Sequence, residues 1–289
     1  MDHRDSFGTT LFGVHGTPTR QQLVAMTRAK QAVYAGLRQA APRLASGRPG
    51  VLVDEQLGQE VIDQALGDRD GPTPVVLAVP VEASGHPWFA LEWGDVWLEH
   101  VRRLRPDYAK VLVRDNPAFD AGHRSTQLDR LAAVSAGLHD AGVPLLYELL
   151  VPATDAQLAG VGKDAERYDH DVRPELVAQV IRDNQERGIE PALWKVEGLE
   201  TVEAAQLVAD QGRAGGRDAD MIVLGRDAPA ERLDHWLEVA SQVERFVGFA
   251  IGRSIWEDVL REGLPAEETA DRVAERYLGF TGHWRPAAP

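Results

Sequence analysis

Residues 139–151, HDAGVPLLYELLV, carry the pattern that decides the fold. They read as the end of a helical segment, then a glycine, then a run that is apolar at consecutive positions. Such a run is typical of a parallel strand that is covered on both faces, and Gly142 stands where a helix stop belongs. Residues 185–196, QERGIEPALWKV, repeat this form. A helix that leads through a glycine into a buried strand predicts βαβ units and a parallel sheet.

The same alternation of short apolar runs and longer amphipathic segments extends along the whole chain. The predicted strands are residues 51–53, 74–80, 108–113, 144–151, 191–196, 220–225 and 246–252. We therefore predict an α/β protein, a single (β/α)8 (TIM) barrel over residues 1–289 with its core at about 2–262 and an extra C-terminal helix near 266–278. The competing fold is a doubly wound open sheet, but no GxGxxG lies between a strand and a helix to support it.

One strand of the predicted barrel has no counterpart in the sequence. A barrel of this type needs eight strands, and the runs given above supply seven. The remaining strand belongs before residues 2–7, DHRDSF, because the first long helical segment follows them. We expect the first strand to be short or missing.

Composition excludes several classes of function. The net charge of -14 leaves no basic field to attract nucleic acid, and no apolar run approaches the roughly 18 residues of a membrane span. The absence of cysteine excludes thiolate catalysis and thiolate metal ligands, and the histidines have no metal-site spacing. We expect a cytoplasmic protein with a small-molecule ligand, without a metal, a cofactor, a nucleic-acid partner or a membrane partner. Whether it forms a homo-oligomer stays open.

Polar residues cluster at the ends of the predicted strands, where this fold places its chemistry. The candidates are Asp2, Arg4, Asp54, Lys110, Arg114, Glu148, Lys195, Gly225, Arg226, Gly252 and Arg253. Two glycine–arginine pairs follow the last two strands, where loops and a helix N-terminus commonly bind phosphate. This pattern favours a phosphate site over the alternative, in which the glycines only end strands and Arg253 is a surface residue.

Lys195 lies inside an apolar strand, and three interpretations remain open. It extends to solvent, as most single lysines do; it forms a structural ion pair with Glu148 of the preceding strand; or it is a nucleophile toward a carbonyl group. The third interpretation needs an apolar barrel mouth and a second cation nearby, for which Lys110 is the candidate. The residues by themselves leave the last two interpretations about equal.

Eight ordered motifs resemble one known family. They are DHRDSF, VLVDEQLG, VPVEASG, AKVLVRDNP, YELLVPAT, WKVEGLE, VLGRDAP and GFAIGRSIWED. Together they are similar to the 2-deoxy-5-keto-gluconate-6-phosphate aldolase-like domain, which is found alone or fused behind the sugar kinase of bacterial myo-inositol catabolism. The likeness covers about residues 2–262. More distantly the chain resembles class I tagatose-bisphosphate aldolases, whose lysine has a similar KVE setting.

The resemblance implies a class I (Schiff-base) aldolase that cleaves a phosphorylated keto sugar acid, 2-deoxy-5-keto-gluconate 6-phosphate, to dihydroxyacetone phosphate and malonate semialdehyde. Lys195 would form the imine, Glu148 would transfer the proton and Lys110 would position the substrate. Substrate and phosphate binding would fall to Asp2, Arg4, Asp54, Arg114, Gly225, Arg226, Gly252 and Arg253. Residues 153–173 would form a long loop suited to an active-site lid. The alternatives are a non-catalytic sugar-phosphate-binding or regulatory barrel, and an isomerase or epimerase that uses Glu148 and Lys195 as acid and base.

Overall fold

The computed structural model describes residue 1 and residues 4–284, and seven parallel strands form its centre. The strands are β1 Gly50–Leu52, β2 Val76–Pro80, β3 Tyr108–Arg114, β4 Leu145–Leu150, β5 Leu193–Glu197, β6 Asp220–Leu224 and β7 Phe246–Ala250. Each strand pairs with the next in chain order, and every pairing is parallel. Every predicted strand is confirmed, with small differences at its ends.

Helices connect the strands, and their ends are marked by local sequence signals. They are α1 Asp5–Phe12, α2 Arg20–Ala40, α3 Glu55–Asp68, α4 Trp97–Leu104, α5 Ala121–Ala141, α6 Asp155–Gly160, α7 Ala165–Asp171, α8 Arg173–Glu186, α9 Val202–Arg213, α10 Ala230–Ser241, α11 Arg253–Arg261 and α12 Ala266–His283. Thr19 caps α2 through the backbone N–H of Gln22, and Thr201 caps α9 in the same way. Gly142 ends α5 with a φ of 67°, in the left-handed region that favours glycine. None of these helices in the described part of the chain is long and apolar enough to span a membrane.

The strands curl into a barrel-like (β/α) sheet that has seven strands instead of eight. Among the described residues, no strand precedes α1 and no pairing joins β7 to β1. The backbone of Met1 lies beside β1, because its nitrogen donates a hydrogen bond to the carbonyl oxygen of Leu52. Its own carbonyl oxygen accepts a hydrogen bond from Lys30 Nζ at 2.8 Å. The expectation of a TIM-barrel fold with a curtailed first strand is confirmed.

Helices pack together around the part of the barrel that lacks a strand. An apolar cluster joins Phe7 of α1, Met26 of α2, Trp256 of α11 and Val273 of α12, and all four side chains are buried. The predicted C-terminal helix is therefore present as α12, which runs on to His283. Elements that follow β7 and elements that flank β1 thus share one core.

The interior of the barrel changes from apolar to charged toward the C-terminal ends of the strands. Ala78, Leu146 and Leu193 form one apolar cluster across β2, β4 and β5. Successive side chains of a strand point to opposite faces, so the residue two positions further along points the same way. Glu148 and Lys195 therefore lie directly above Leu146 and Leu193.

Candidate active site

Lys195 and Glu148 form a buried ion pair at the centre of the charged layer. The register of β4 and β5 sets these two residues side by side. Lys195 Nζ lies 2.8 Å from Glu148 Oε1, and each side chain retains only 7% of its exposure. Lys195 therefore does not extend to solvent, which removes the first of its three interpretations. A buried ammonium and a buried carboxylate are costly to desolvate unless they are paired, and here they are.

Lys110 extends this pair into a chain of alternating charges. Its ammonium lies 3.2 Å from Glu148 Oε2 and 2.6 Å from Glu82 Oε1, and its side chain is fully buried. Arg4 continues the chain, since its guanidinium donates at 2.8 Å to the backbone oxygen of Glu82. Glu148 is thus held between the two ammonium groups of Lys110 and Lys195, as the sequence predicts.

A cavity of about 350 Å³ opens above this charged layer. Glu148 lies on its floor, and Arg4, Arg114 and Arg253 line its walls. Within the described residues, the guanidinium of Arg114 has no carboxylate partner and is available to an anion. The lining also contains three carboxylates, those of Asp5, Glu82 and Glu148. The basic groups are therefore in excess only when the buried Lys110 and Lys195 are included.

A hairpin-like loop after β2 forms one side of the cavity. Glu82 and Leu91 make an isolated antiparallel bridge, and the residues between them line the cavity. Trp88 in this loop stacks on His123, with ring centroids 5.2 Å apart. Glu82 just after β2 and His86 in the loop are polar residues that the sequence also offers for the site, and both line the cavity. The signal for the loop is the polar stretch ASGHP, which follows shortly after the strand.

The predicted phosphate-binding residues divide between the cavity and its surroundings. Gly252 caps α11, whose first residue is Arg253, and Arg253 lines the cavity. Gly225 packs closely on Leu233 and Ile251, where a Cβ atom would approach within 3.1 Å of Leu233. Of the two glycine–arginine pairs Gly225–Arg226 and Gly252–Arg253, Arg253 is the residue that lines the cavity.

Arg226 forms ion pairs with carboxylates of the neighbouring elements. Its Nη1 lies 2.8 Å from Glu197 Oε1 and 3.1 Å from Asp169 Oδ1. Arg173 adds a second guanidinium, with Nε 2.9 Å from Asp169 Oδ1. Burial acts to raise the pKa of Asp169, but the hydrogen bonds and charges of Arg226 and Arg173 outweigh it and hold that pKa below its ordinary value. Sequence reasoning missed this cluster, although Asp169 and Arg173 have the spacing of neighbours on a helix.

Residues 153–173 form helices instead of the expected long loop. Thr154 begins α6 with a capping box, and Asp164 caps α7. The hydroxyl of Tyr168 donates to the backbone oxygen of Val151 at 2.9 Å, and burial raises the pKa of Tyr168 to about 12. Lys163 remains exposed. This segment is therefore fixed to the end of β4, and the prediction of a long loop is wrong.

Two further predicted residues lie apart from the cavity lining or outside the described part of the chain. Asp54 caps α3 through the N–H of Leu57 and forms a buried ion pair with Lys30. Both its oxygens thereby stabilise the structure around β1. Asp2 lies outside the described residues. No group of three or more histidine, aspartate and glutamate side chains in the described ranges is arranged to hold a metal ion.

Solved structures with this fold include proteins named as aldolases. The protein Cgl0159 from Corynebacterium glutamicum has a TM-score of 0.57 and 18% identity, over 96% of this chain and 83% of that one. The YdjI aldolase from Escherichia coli K12 has a TM-score of 0.57 and 12% identity, over 88% and 87%. An archaeal fructose 1,6-bisphosphate aldolase has a TM-score of 0.50 and 14% identity, over 86% and 99%. At such identities these similarities show the fold.

Comparison at the level of sequence gives a family. A search of curated proteins gives no match. A family model described as "Uncharacterized protein conserved in bacteria (DUF2090)" matches residues 1–288, which is nearly the whole chain. The chain therefore belongs to the DUF2090 family.

Proposed function

We propose that this protein is a class I aldolase that cleaves a phosphorylated keto sugar acid through a Schiff base on Lys195. The observation that carries the proposal is the buried pair of Lys195 Nζ and Glu148 Oε1, 2.8 Å apart, in which Glu148 lines a cavity that arginines also line. A structural ion pair needs no such access. The pair thus combines a potential nucleophile, a potential base and room for a substrate.

Imine formation is the first step of the proposed reaction. The uncharged amine of Lys195 adds to the substrate ketone, and the carbinolamine loses water to give a protonated imine. Glu148 is close enough to accept the proton that the ammonium must first lose. Lys110, 3.2 Å from the other oxygen of Glu148, keeps a positive charge beside the carboxylate. In this proposal Lys195, Glu148 and Lys110 thus act together in proton transfer.

Carbon–carbon cleavage follows from the protonated imine. Glu148 removes the proton from the hydroxyl group on the carbon β to the iminium carbon, and that carbon becomes the aldehyde as its bond to the α carbon breaks. The electron pair of the broken bond forms an enamine, with the iminium nitrogen as the electron sink. Protonation of the enamine carbon and addition of water then release the ketone product and restore the amine. Glu148, which holds the proton after cleavage, is placed to return it.

The charges around the cavity support an anionic substrate. Arg253, at the start of α11, is the proposed phosphate ligand, together with the N–H groups of that helix end. Arg114 is the proposed ligand of the substrate carboxylate. We propose 2-deoxy-5-keto-gluconate 6-phosphate as the substrate and inositol catabolism as its pathway, on the strength of the motif resemblance. The aldolases of similar fold are compatible with this reaction, but the residues of the cavity carry the proposal.

Substitution of the nucleophile tests the proposed function. Lys195→Met should lower the release of dihydroxyacetone phosphate by roughly 10⁴-fold or more, because no other group can form the imine. Lys163→Met, which changes an exposed lysine, is the matched control and should leave the rate unchanged. Circular dichroism and thermal unfolding would verify that both variants fold. Turnover of Lys195→Met within tenfold of the unmodified enzyme would contradict a Schiff-base mechanism.

A further inference from the structure

The turn after β6 has a strained backbone that ion pairs hold on both sides. Arg226 and Asp227 have φ angles of 46° and 53°, in the left-handed region that non-glycine residues rarely adopt. The guanidinium of Arg226 is tied to Glu197 and Asp169. The carboxylate of Asp227 pairs with Arg253 across the turn. Arg226 and Asp227, which are neighbours in this turn, therefore connect the carboxylates of Glu197 and Asp169 to Arg253 at the cavity.

The pair of Asp227 and Arg253 differs from the buried pairs of the site in its access to solvent. The two side chains retain 45% and 37% of their exposure, whereas Lys195 and Glu148 retain 7% each. An ion pair with that much exposure contributes little to stability and exchanges readily. Arg253 also lines the cavity, so a ligand phosphate and the Asp227 carboxylate would reach the same guanidinium.

We propose that Asp227 is an internal anion that pairs with Arg253 and is displaced when phosphate binds. Asp227 thereby sets the phosphate affinity of the site and favours release of the phosphorylated product. The proposal rests on the assignment of Arg253 as the phosphate ligand in the proposed function. Phosphate is bound by positive groups, whereas the residue added here, Asp227, is negative.

Two effects of Asp227 on phosphate binding oppose each other, and their sizes decide the outcome. The Asp227 carboxylate orders the Arg253 side chain, and this ordering favours phosphate binding. The effect is small, because an exposed ion pair is weak. It also repels the incoming dianion at close range and must be separated from Arg253. Repulsion between one carboxylate and a phosphate dianion amounts to about a tenfold change in affinity even in water-like surroundings. Competition therefore outweighs positioning.

Titration calorimetry with inorganic phosphate tests this proposal. Asp227→Asn should bind phosphate about tenfold more tightly than the unmodified protein. Asparagine has the shape of aspartate and accepts left-handed φ angles, so the turn should keep its conformation. The matched control is Asp218→Asn, which removes an exposed aspartate that pairs with Arg245 at the other end of β6. It makes the same change in net charge and should leave phosphate binding unchanged.

Arg253→Gln separates failure of this inference from failure of the phosphate site. Weaker phosphate binding in Arg253→Gln, with tighter binding in Asp227→Asn, supports both. Weaker binding in Arg253→Gln with unchanged or weaker binding in Asp227→Asn would overturn the role of Asp227 and leave the phosphate site in place. Unchanged binding in Arg253→Gln, or no binding in any of the proteins, would overturn the phosphate assignment and this inference with it.

Discussion

Two of the buried lysine–carboxylate pairs in this protein show how position separates structure from chemistry. Lys30 pairs with Asp54, and Lys195 pairs with Glu148; all four side chains are almost completely buried. Asp54 also caps α3, so its pair is used to fix a helix start beside β1. Glu148, in contrast, lines the cavity. In both pairs the buried charges are neutralised by a partner. Of the two carboxylates, Glu148 is the one that a ligand in the cavity would contact.

Replacement of Glu148 by glutamine should slow aldehyde release, because it removes the proposed proton acceptor of both imine formation and bond cleavage. The glutamine side chain keeps the size of glutamate and an oxygen that accepts hydrogen bonds from the lysines, but it cannot remove the hydroxyl proton. We expect Glu148→Gln to slow cleavage by roughly 10²- to 10⁴-fold, the usual contribution of a general base. Single-turnover measurement of aldehyde release provides the test.

The matched control for this experiment is Glu203→Gln, which changes an exposed glutamate in the first turn of α9. Cleavage by Glu203→Gln should equal that of the unmodified enzyme. If Glu148→Gln also cleaved at the unmodified rate, Glu148 would be a structural partner of Lys195 and another group would have to act as the base.

At the scale of elements, α2 and α12 pack closely against each other at Gly36. A Cβ atom on Gly36 would come within 2.7 Å of the backbone oxygen of Ala270 and of the Val273 side chain. Backbone at that distance cannot move aside cheaply. Gly36 is therefore needed for the contact that joins the C-terminal helix to the first long helix.

A pair of glycine substitutions measures this contact. Gly36→Ala should lower the free energy of unfolding by about 1–3 kcal/mol, the cost of overpacking. Gly67→Ala lies in α3, where a Cβ atom would meet nothing within 4 Å, and should raise stability by about 0.5–1 kcal/mol. Urea denaturation of both variants provides the comparison. Equal effects of the two substitutions would show that α2 and α12 do not pack as closely as described.

Sequence patterns predicted the elements better than the connections between distant residues. Short apolar runs predicted all seven strands of the described residues, and their order placed Glu148 and Lys195 on neighbouring strands, which the structure pairs side by side. The segment 153–173 was misjudged because its polar composition resembles a loop, while capping residues and the anchored Tyr168 stabilise two short helices. Local composition does not reveal such tertiary anchors.

At the scale of the whole molecule, the sequence predicted a barrel short of one strand, and residue 1 and residues 4–284 contain seven strands paired in chain order. The predicted catalytic group of Lys195, Glu148 and Lys110 does come together. The partners of Asp54 and Arg226 were not predictable, because Lys30 and Asp169 are distant in sequence and only the folded chain brings them near. Residue type indicated which side chains carry charge, but the fold decides which charges a ligand can reach.

Trapping of the covalent intermediate tests the central claim most directly. The chain has only four lysines, Lys30, Lys110, Lys163 and Lys195, so the modified position can be assigned without ambiguity by peptide mass spectrometry. The protein would be treated with sodium borohydride in the presence of 2-deoxy-5-keto-gluconate 6-phosphate or dihydroxyacetone phosphate. The account predicts a reduced adduct on Lys195 that is absent from Lys195→Met. No adduct, or an adduct on another lysine that persists in Lys195→Met, would contradict it.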